Sequence, residues 1–264
     1  MIAFFISMPV VAYLSMITFQ TMNLGVLNYE NKQVPYSLGV VIIYSFAFTY
    51  AFPPQINETL SFSAFLYVFS IWFLGLIDDI YGKPYPKGLK GHIMHAIGKG
   101  IFTTGLVKAV GTVAFAILFL WMNQPDSIVA SFVALCLLIG FPHVMNLFDT
   151  RPLRVWKVTV CIVIFVLITN PLPSFVFIMI LLSVFYVLYV LEGYKKAMLG
   201  DNGATVIGAI LAVVILNHLS LLLQMLLLFI VVLFIALAEK YSFSKVIERS
   251  SLLRRIDQLG VMRK

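Results

Sequence analysis

The sequence predicts an all-α protein, a polytopic transmembrane helical bundle of about nine spans, with its N-terminus outside and its C-terminus cytoplasmic. Three observations carry that prediction. The chain has 264 residues, of which 61% are hydrophobic and 11% charged, whereas about a quarter of the residues in a soluble domain are charged. Several apolar runs approach the roughly 20 residues that a helix needs to cross a bilayer. All 18 Lys and Arg residues can be placed on one face of the resulting bundle, as the positive-inside rule requires of a cytoplasmic face.

The apolar runs cover 1–20, 37–53, 60–77, 101–121, 127–146, 156–170, 174–191, 203–217 and 219–238. Bases follow the first run (Lys32), the third (Lys83, Lys87, Lys90), the fifth (Arg151, Arg154, Lys157), the seventh (Lys195, Lys196) and the ninth. The connections after Pro53, Asn123, Asn170 and Asn217 carry none. Residues 1–238 thus read as one membrane domain and 239–264 as a basic cytoplasmic tail. The start, Met1 to Phe5, lacks the basic stretch of a cleavable signal and reads as a retained span. Cys136 and Cys161 both lie in apolar runs, which gives a disulfide framework no support. The net charge of +7 follows from the membrane face and does not call for nucleic acid. From Leu89 to Trp121 a continuous helix would be about 50 Å long against a hydrocarbon core of about 30 Å. Its first turns, with His92, His95 and Lys99, are therefore expected to project from the membrane or lie in its interface. Two histidines without a third ligand do not make a zinc site.

The chemistry-bearing residues sit where apolar runs meet basic loops. Asp78 and Asp79 end the third run. Adjacent helical residues point about 100° apart, so one carboxylate could bind a metal while the other holds or deprotonates a second group. The alternative is an acidic stop that pairs with Lys83. Asp201 lies in Gly200-Asp201-Asn202-Gly203, where glycines let backbone approach a ligand and the following helix offers its N-terminal amides. The plainer reading of Asp201 is an N-cap. Carboxylates together with phosphate oxygens suit Mg²⁺. Between these motifs, Pro142 should kink the fifth helix. Asn146 and Asp149, three apart, share one side of the helix end and can bond a base or a sugar. Arg151 and Arg154 are suited to phosphate, since guanidinium pairs with its oxygens in a bidentate way; positive-inside anchoring accounts for part of their presence.

Asp78-Asp79, Asn146-Leu147-Phe148-Asp149 and Gly200-Asp201-Asn202-Gly203-Ala204 resemble, in order, the cytoplasmic motifs of the polyprenyl-phosphate N-acetylhexosamine-1-phosphate transferases, glycosyltransferase family 4. Lys32, Pro35 and Gly39 resemble that family's segment before the second span. The resemblance implies a plasma-membrane enzyme with its site on the cytoplasmic face. It would transfer a sugar-1-phosphate from a UDP-N-acetylhexosamine to a polyprenyl phosphate and release UMP, with Mg²⁺ (or Mn²⁺) as cofactor. It makes Asp78, Asp79 and Asp201 the catalytic candidates, with Asp201 and Asp79 as metal ligands. Lys32, Lys90, Lys108, Asn146, Asp149, Arg151, Arg154 and Asn202 become the substrate-binding candidates. Lys108 either snorkels or faces the lipid phosphate from within the bundle. A homodimer is compatible with the family, and no residue here decides it.

The chain departs from the family pattern in three places. A second aspartate after Asp149 is replaced by Thr150-Arg151-Pro152-Leu153-Arg154, the Asn and Pro-Ala before Gly200 are replaced by Glu192 to Ala197, and no histidine follows His218. In the tail, Phe243, Val246, Ile247, Leu252, Leu253, Ile256 and Leu259 recur at helical spacing among bases, the pattern of an interfacial amphipathic helix. The sharper expectation has Arg254 and Arg255 closing over a diphosphate. The departures also admit a second reading, a degenerate relative that binds lipid phosphate or nucleotide and regulates envelope assembly. A transporter fits less well, because its site would lie near the midplane.

Overall fold

A computed structural model describes residues 2–28, 31–53, 60–82 and 103–262. The helices are α1 (Ile2–Thr21), α2 (Leu38–Ala51), α3 (Phe62–Tyr81), α4 (Thr104–Asn123), α5 (Ile128–Phe148), α6 (Arg154–Thr169), α7 (Phe175–Gly193), α8 (Gly200–His218), α9 (Leu221–Lys240), α10 (Phe243–Arg249) and α11 (Ser251–Gln258). Hydroxyl caps start several of them. Ser61, Thr103, Ser127 and Ser174 each accept a backbone N–H from the first turn of α3, α4, α5 and α7, which satisfies a donor that the helix leaves orphaned.

Each of the nine apolar runs contains a helix among its described residues. Among the described residues, seven helices (α1, α3, α4, α5, α7, α8 and α9) are long and apolar enough to cross a membrane. The other two are shorter: α2 has 14 residues and α6 has 16. Before α2 the chain turns back on itself: β1 (Gly25–Leu27) pairs antiparallel with β2 (Gln33–Pro35), Val26 opposite Val34. The all-α expectation missed this hairpin, whose three-residue strands are too brief to show alternation. α6 stops where the Asn170 amide folds back onto the Val166 carbonyl.

α8 is the central helix and the most buried of the seven. It packs against α2, α3, α5 and α6, while α4 lies against α3 and α5, α9 against α5, and α1 against α2 and α7. Small residues allow this. A Cβ on Gly208 would stand 2.5 Å from the Phe141 carbonyl oxygen, so the backbones of α5 and α8 meet where only glycine fits. Pro142 does not end α5. The carbonyl its ring leaves without a donor, that of Leu138, accepts from the Tyr67 hydroxyl of α3, so the proline is absorbed into the core.

The tail differs from a single amphipathic helix. Ser250 interrupts it, and its hydroxyl caps α11. Phe243 stacks on Phe148 and meets Phe234 edge to face, which turns α10 back over the end of α5 and α9. Outside the described residues lie Lys90 and the expected projecting turns with His92, His95 and Lys99.

Candidate charge cluster at the base-bearing end

The ends of α3 and α5 and the starts of α4 and α8 meet at one end of the bundle. The segment before α8 is fixed first. Met198 donates its N–H to the Pro35 carbonyl and Leu38 donates to Met198, which ties the first loop to the Gly-Asp motif. Gly200 then takes φ +66°, and a Cβ there would stand 2.7 Å from Tyr36 Cβ. Both the left-handed backbone and the close approach call for glycine.

Asp79 caps α8 from another helix. Its Oδ1 accepts from the Asp201 N–H at 3.0 Å, and its Oδ2 accepts from the Asn202 N–H at 2.8 Å and the Asn202 side-chain amide at 2.7 Å. The same amide group donates to the Tyr36 carbonyl at 2.9 Å. Asp201 is thus no N-cap; it occupies the first turn, and the cap arrives in trans. A carboxylate at a helix N-terminus is favoured by the helix dipole. Asp149 adds to it by accepting from the Gly200 N–H.

Asp78 points elsewhere. It lies within hydrogen-bond reach of Asp201 and Thr104, and Lys108 of α4 forms ion pairs with both Asp78 and Asp201. The three side chains are 15%, 31% and 19% exposed for Asp78, Asp201 and Lys108, partly shielded from water yet open on one side. Two carboxylates in contact repel unless a cation stands between them, and here the ammonium does. Lys108 therefore faces into the bundle end rather than snorkelling away.

Burial, followed by the negative charge of Glu192 and then of Asp201 and Asp79, holds the Asp149 carboxyl well above the usual carboxylate range. Burial and then Asp79 raise the Tyr36 phenol in the same way. Glu192 escaped sequence reasoning, which treated its segment only as a departure. It is buried at the end of α7, where it accepts from the Leu153 N–H and lies within hydrogen-bond reach of the Trp156 side chain. His143 also escaped; it lies near enough to feel Lys108 and Glu239. A Glu directly after an apolar run, or a His inside one a turn from a loop, was the available signal.

The remaining candidates disperse. Asn146 is half-buried in the last turn of α5, and Lys32 is exposed beside β2. Arg151 pairs with Glu248 and Arg154, 4% exposed, forms a two-pronged pair with Asp257, so the guanidinium expected on a phosphate is held by the tail. Arg254 and Arg255 are exposed on α11, and Asp257, their neighbour, makes the inward contact.

The donor set can be tested against a divalent cation. Among the described residues no three His, Cys, Asp or Glu side chains gather as one metal-holding group. Asp78 and Asp201 are instead an adjoining pair of hard oxygen ligands, and Mg²⁺ commonly takes one or two carboxylates and completes its shell with water and phosphate oxygen. The residues fit such an ion, with Asp78 rather than Asp79 beside Asp201. Fold and cluster together define a helical, multi-pass membrane protein with a charge cluster at one end. No protein-family model matches the chain, and no curated protein or solved structure matches it either.

Proposed function

We propose that the chain is a multi-pass transferase of the plasma membrane, with α2 and α6 as short additional spans and the charge cluster on the cytoplasmic face. It moves a sugar-1-phosphate from a UDP-N-acetylhexosamine to a polyprenyl phosphate and releases UMP. The observation that carries this reading is Lys108 held between Asp78 and Asp201 at the start of α8.

In this reading Asp78 and Asp201 hold Mg²⁺, which when bound supplies charge neutralisation for two phosphorylated reactants. Lys108 stays at the cluster and attracts a phosphate once the carboxylates are engaged. The lipid phosphate oxygen attacks the phosphorus attached to the sugar; the bond to the UMP phosphate breaks, and UMP leaves with the electron pair. Asp79 fixes the first turn of α8, so that Asp201 meets the reactants in a set position. Asp149, protonated more readily than an ordinary carboxyl, lies beside Gly200 and is placed to hold the donor.

Full-length protein with Mg²⁺, undecaprenyl phosphate and a panel of UDP-sugars should release UMP, and Asp201→Asn should stop it. Silence with every donor would sink the enzyme reading. A second reading, a binder that regulates envelope assembly, draws on the pairing of Arg151 and Arg154 with the tail instead of with substrate. Tight UMP binding without turnover would favour it.

A further inference from the structure

The two loops flanking the charge cluster are joined by a third segment that the reaction does not use. Asp149, Thr150 and Arg151 on one wall and Glu192 and Lys195 on another face each other across a cleft of about 230 Å³, with Leu27, Asn28 and Val34 of the hairpin on a third side. The first wall belongs to the α5–α6 connection, the second to the end of α7. Residues 243–262 touch both. On the α5–α6 side, Arg154 Nε and Nη2 donate to the two Asp257 oxygens at 2.6 and 2.9 Å, and Nη1 donates to Thr150 at 2.7 Å and Ser244 at 2.8 Å. Lys157 donates to the Asp257 carbonyl at 2.6 Å, and Arg151 pairs with Glu248 at 2.9 Å. On the α7 side, the Met262 N–H donates to the Gly193 carbonyl at 3.1 Å. Gly260, at φ +77°, lies so close to Tyr189 that a Cβ there would overlap its hydroxyl.

We infer that the C-terminal segment is a strap that holds the two walls of the Asp149–Glu192 cleft at a fixed separation, with Asp257 as its positioning residue. α6 packs on α8 and α5, whereas α7 packs on α1 and α2, and the two meet at the Trp156–Phe185 ring contact and through Glu192, which accepts from the Leu153 N–H. The walls belong to different helices, and the tail bonds to both. The Arg154–Asp257 pair is two-pronged, with the guanidinium 5% and the carboxylate 18% exposed, the geometry in which an ion pair confers specific placement. Glu192, buried in the second wall, accepts from Leu153 of the first, and the tail adds its own bonds on either side of that contact.

Hydrogen exchange on the full-length protein in detergent micelles tests this. Asp257→Asn should speed amide exchange about tenfold in 150–158 and 190–198, the loss expected for a charge-assisted hydrogen bond, with α3 and α8 unchanged. Asp257→Glu should restore most of the protection. Gly260→Ala, which alters no charge, should loosen the α7 side in the same way. Faster exchange confined to the tail in both variants, or loosening spread evenly over α3 and α8, would overturn the strap. An activity arm rests on the proposed transferase: Asp257→Asn should raise KM for the UDP-sugar several-fold with kcat nearly unchanged. If no variant and no wild type turns over, the exchange result still decides the strap.

Discussion

Asp79 and Asn202 are joined twice, because one carboxylate oxygen of Asp79 accepts both the backbone N–H and the side-chain amide of Asn202, at 2.8 and 2.7 Å. With the Asp201 N–H on the other oxygen, Asp79 has the start of α8 for its partner. Its neighbour Asp78 faces Lys108 and Asp201. Adjacent, chemically identical residues thus hold different offices: one builds the site and the other lines it.

Replacing Asp79 should accordingly cost stability before it costs chemistry. Asp79→Ala removes acceptors from three donors, and buried donors left unpaired cost about 1–3 kcal/mol each. Thermal unfolding in detergent should show a clearly lower midpoint for Asp79→Ala and a small change for Asp78→Asn. Equal midpoints would contradict the division of labour.

Lys108 compensates two carboxylates at once. Lys108→Met leaves Asp78 and Asp201 in contact without their cation, and removing one partner of a shielded pair costs about 3 kcal/mol. The midpoint should fall, and millimolar Mg²⁺ should recover part of it. A variant as stable as wild type without the ion would show that the bridge is unimportant.

Mg²⁺ binding has a readout apart from turnover. An ion at about 100 times its Kd adds about 2.7 kcal/mol to the folded state. Wild type should be stabilised by Mg²⁺ and Asp78→Asn or Asp201→Asn much less. A shift that survives both substitutions would place the ion elsewhere.

Asp149 sets a pH dependence. Its carboxyl is held well above the usual range, first by burial and then by Glu192, so the folded protein binds its proton more tightly than the unfolded chain does. Below the unfolded value, about 3.9, the group contributes no difference. As pH rises above it the unfolded chain ionises first, and stability falls until the folded group also ionises. Asp149→Asn should flatten the fall in unfolding midpoint on the alkaline side of pH 4. An unchanged slope would contradict the assignment.

Much of this fold is legible in the sequence because its signals are local. Runs of apolar residues show where helices lie, and hydroxyl caps form at or near their starts, at Ser61, Thr103, Ser127 and Ser174. The aspartates stood out because acids are costly near a bilayer. The roles of Asp78 and Asp79 were illegible, since they depend on which helix packs against α3, and no local pattern encodes that α8 does. The same holds for Arg154, whose partner Asp257 lies 103 positions away. A guanidinium on a basic loop looks available for phosphate until the tail folds over it. Glu192 was overlooked because its meaning comes from Asp149 and Leu153 across the cleft.

The most direct test of the central claim is mass spectrometry of the lipid product. Full-length protein would be incubated with Mg²⁺, undecaprenyl phosphate and a panel of UDP-N-acetylhexosamines. The account predicts a polyprenyl diphosphate-linked sugar with one donor, lost in Asp201→Asn and in Lys108→Met. No such lipid with any donor, from protein whose Mg²⁺-dependent stabilisation is intact, would contradict it.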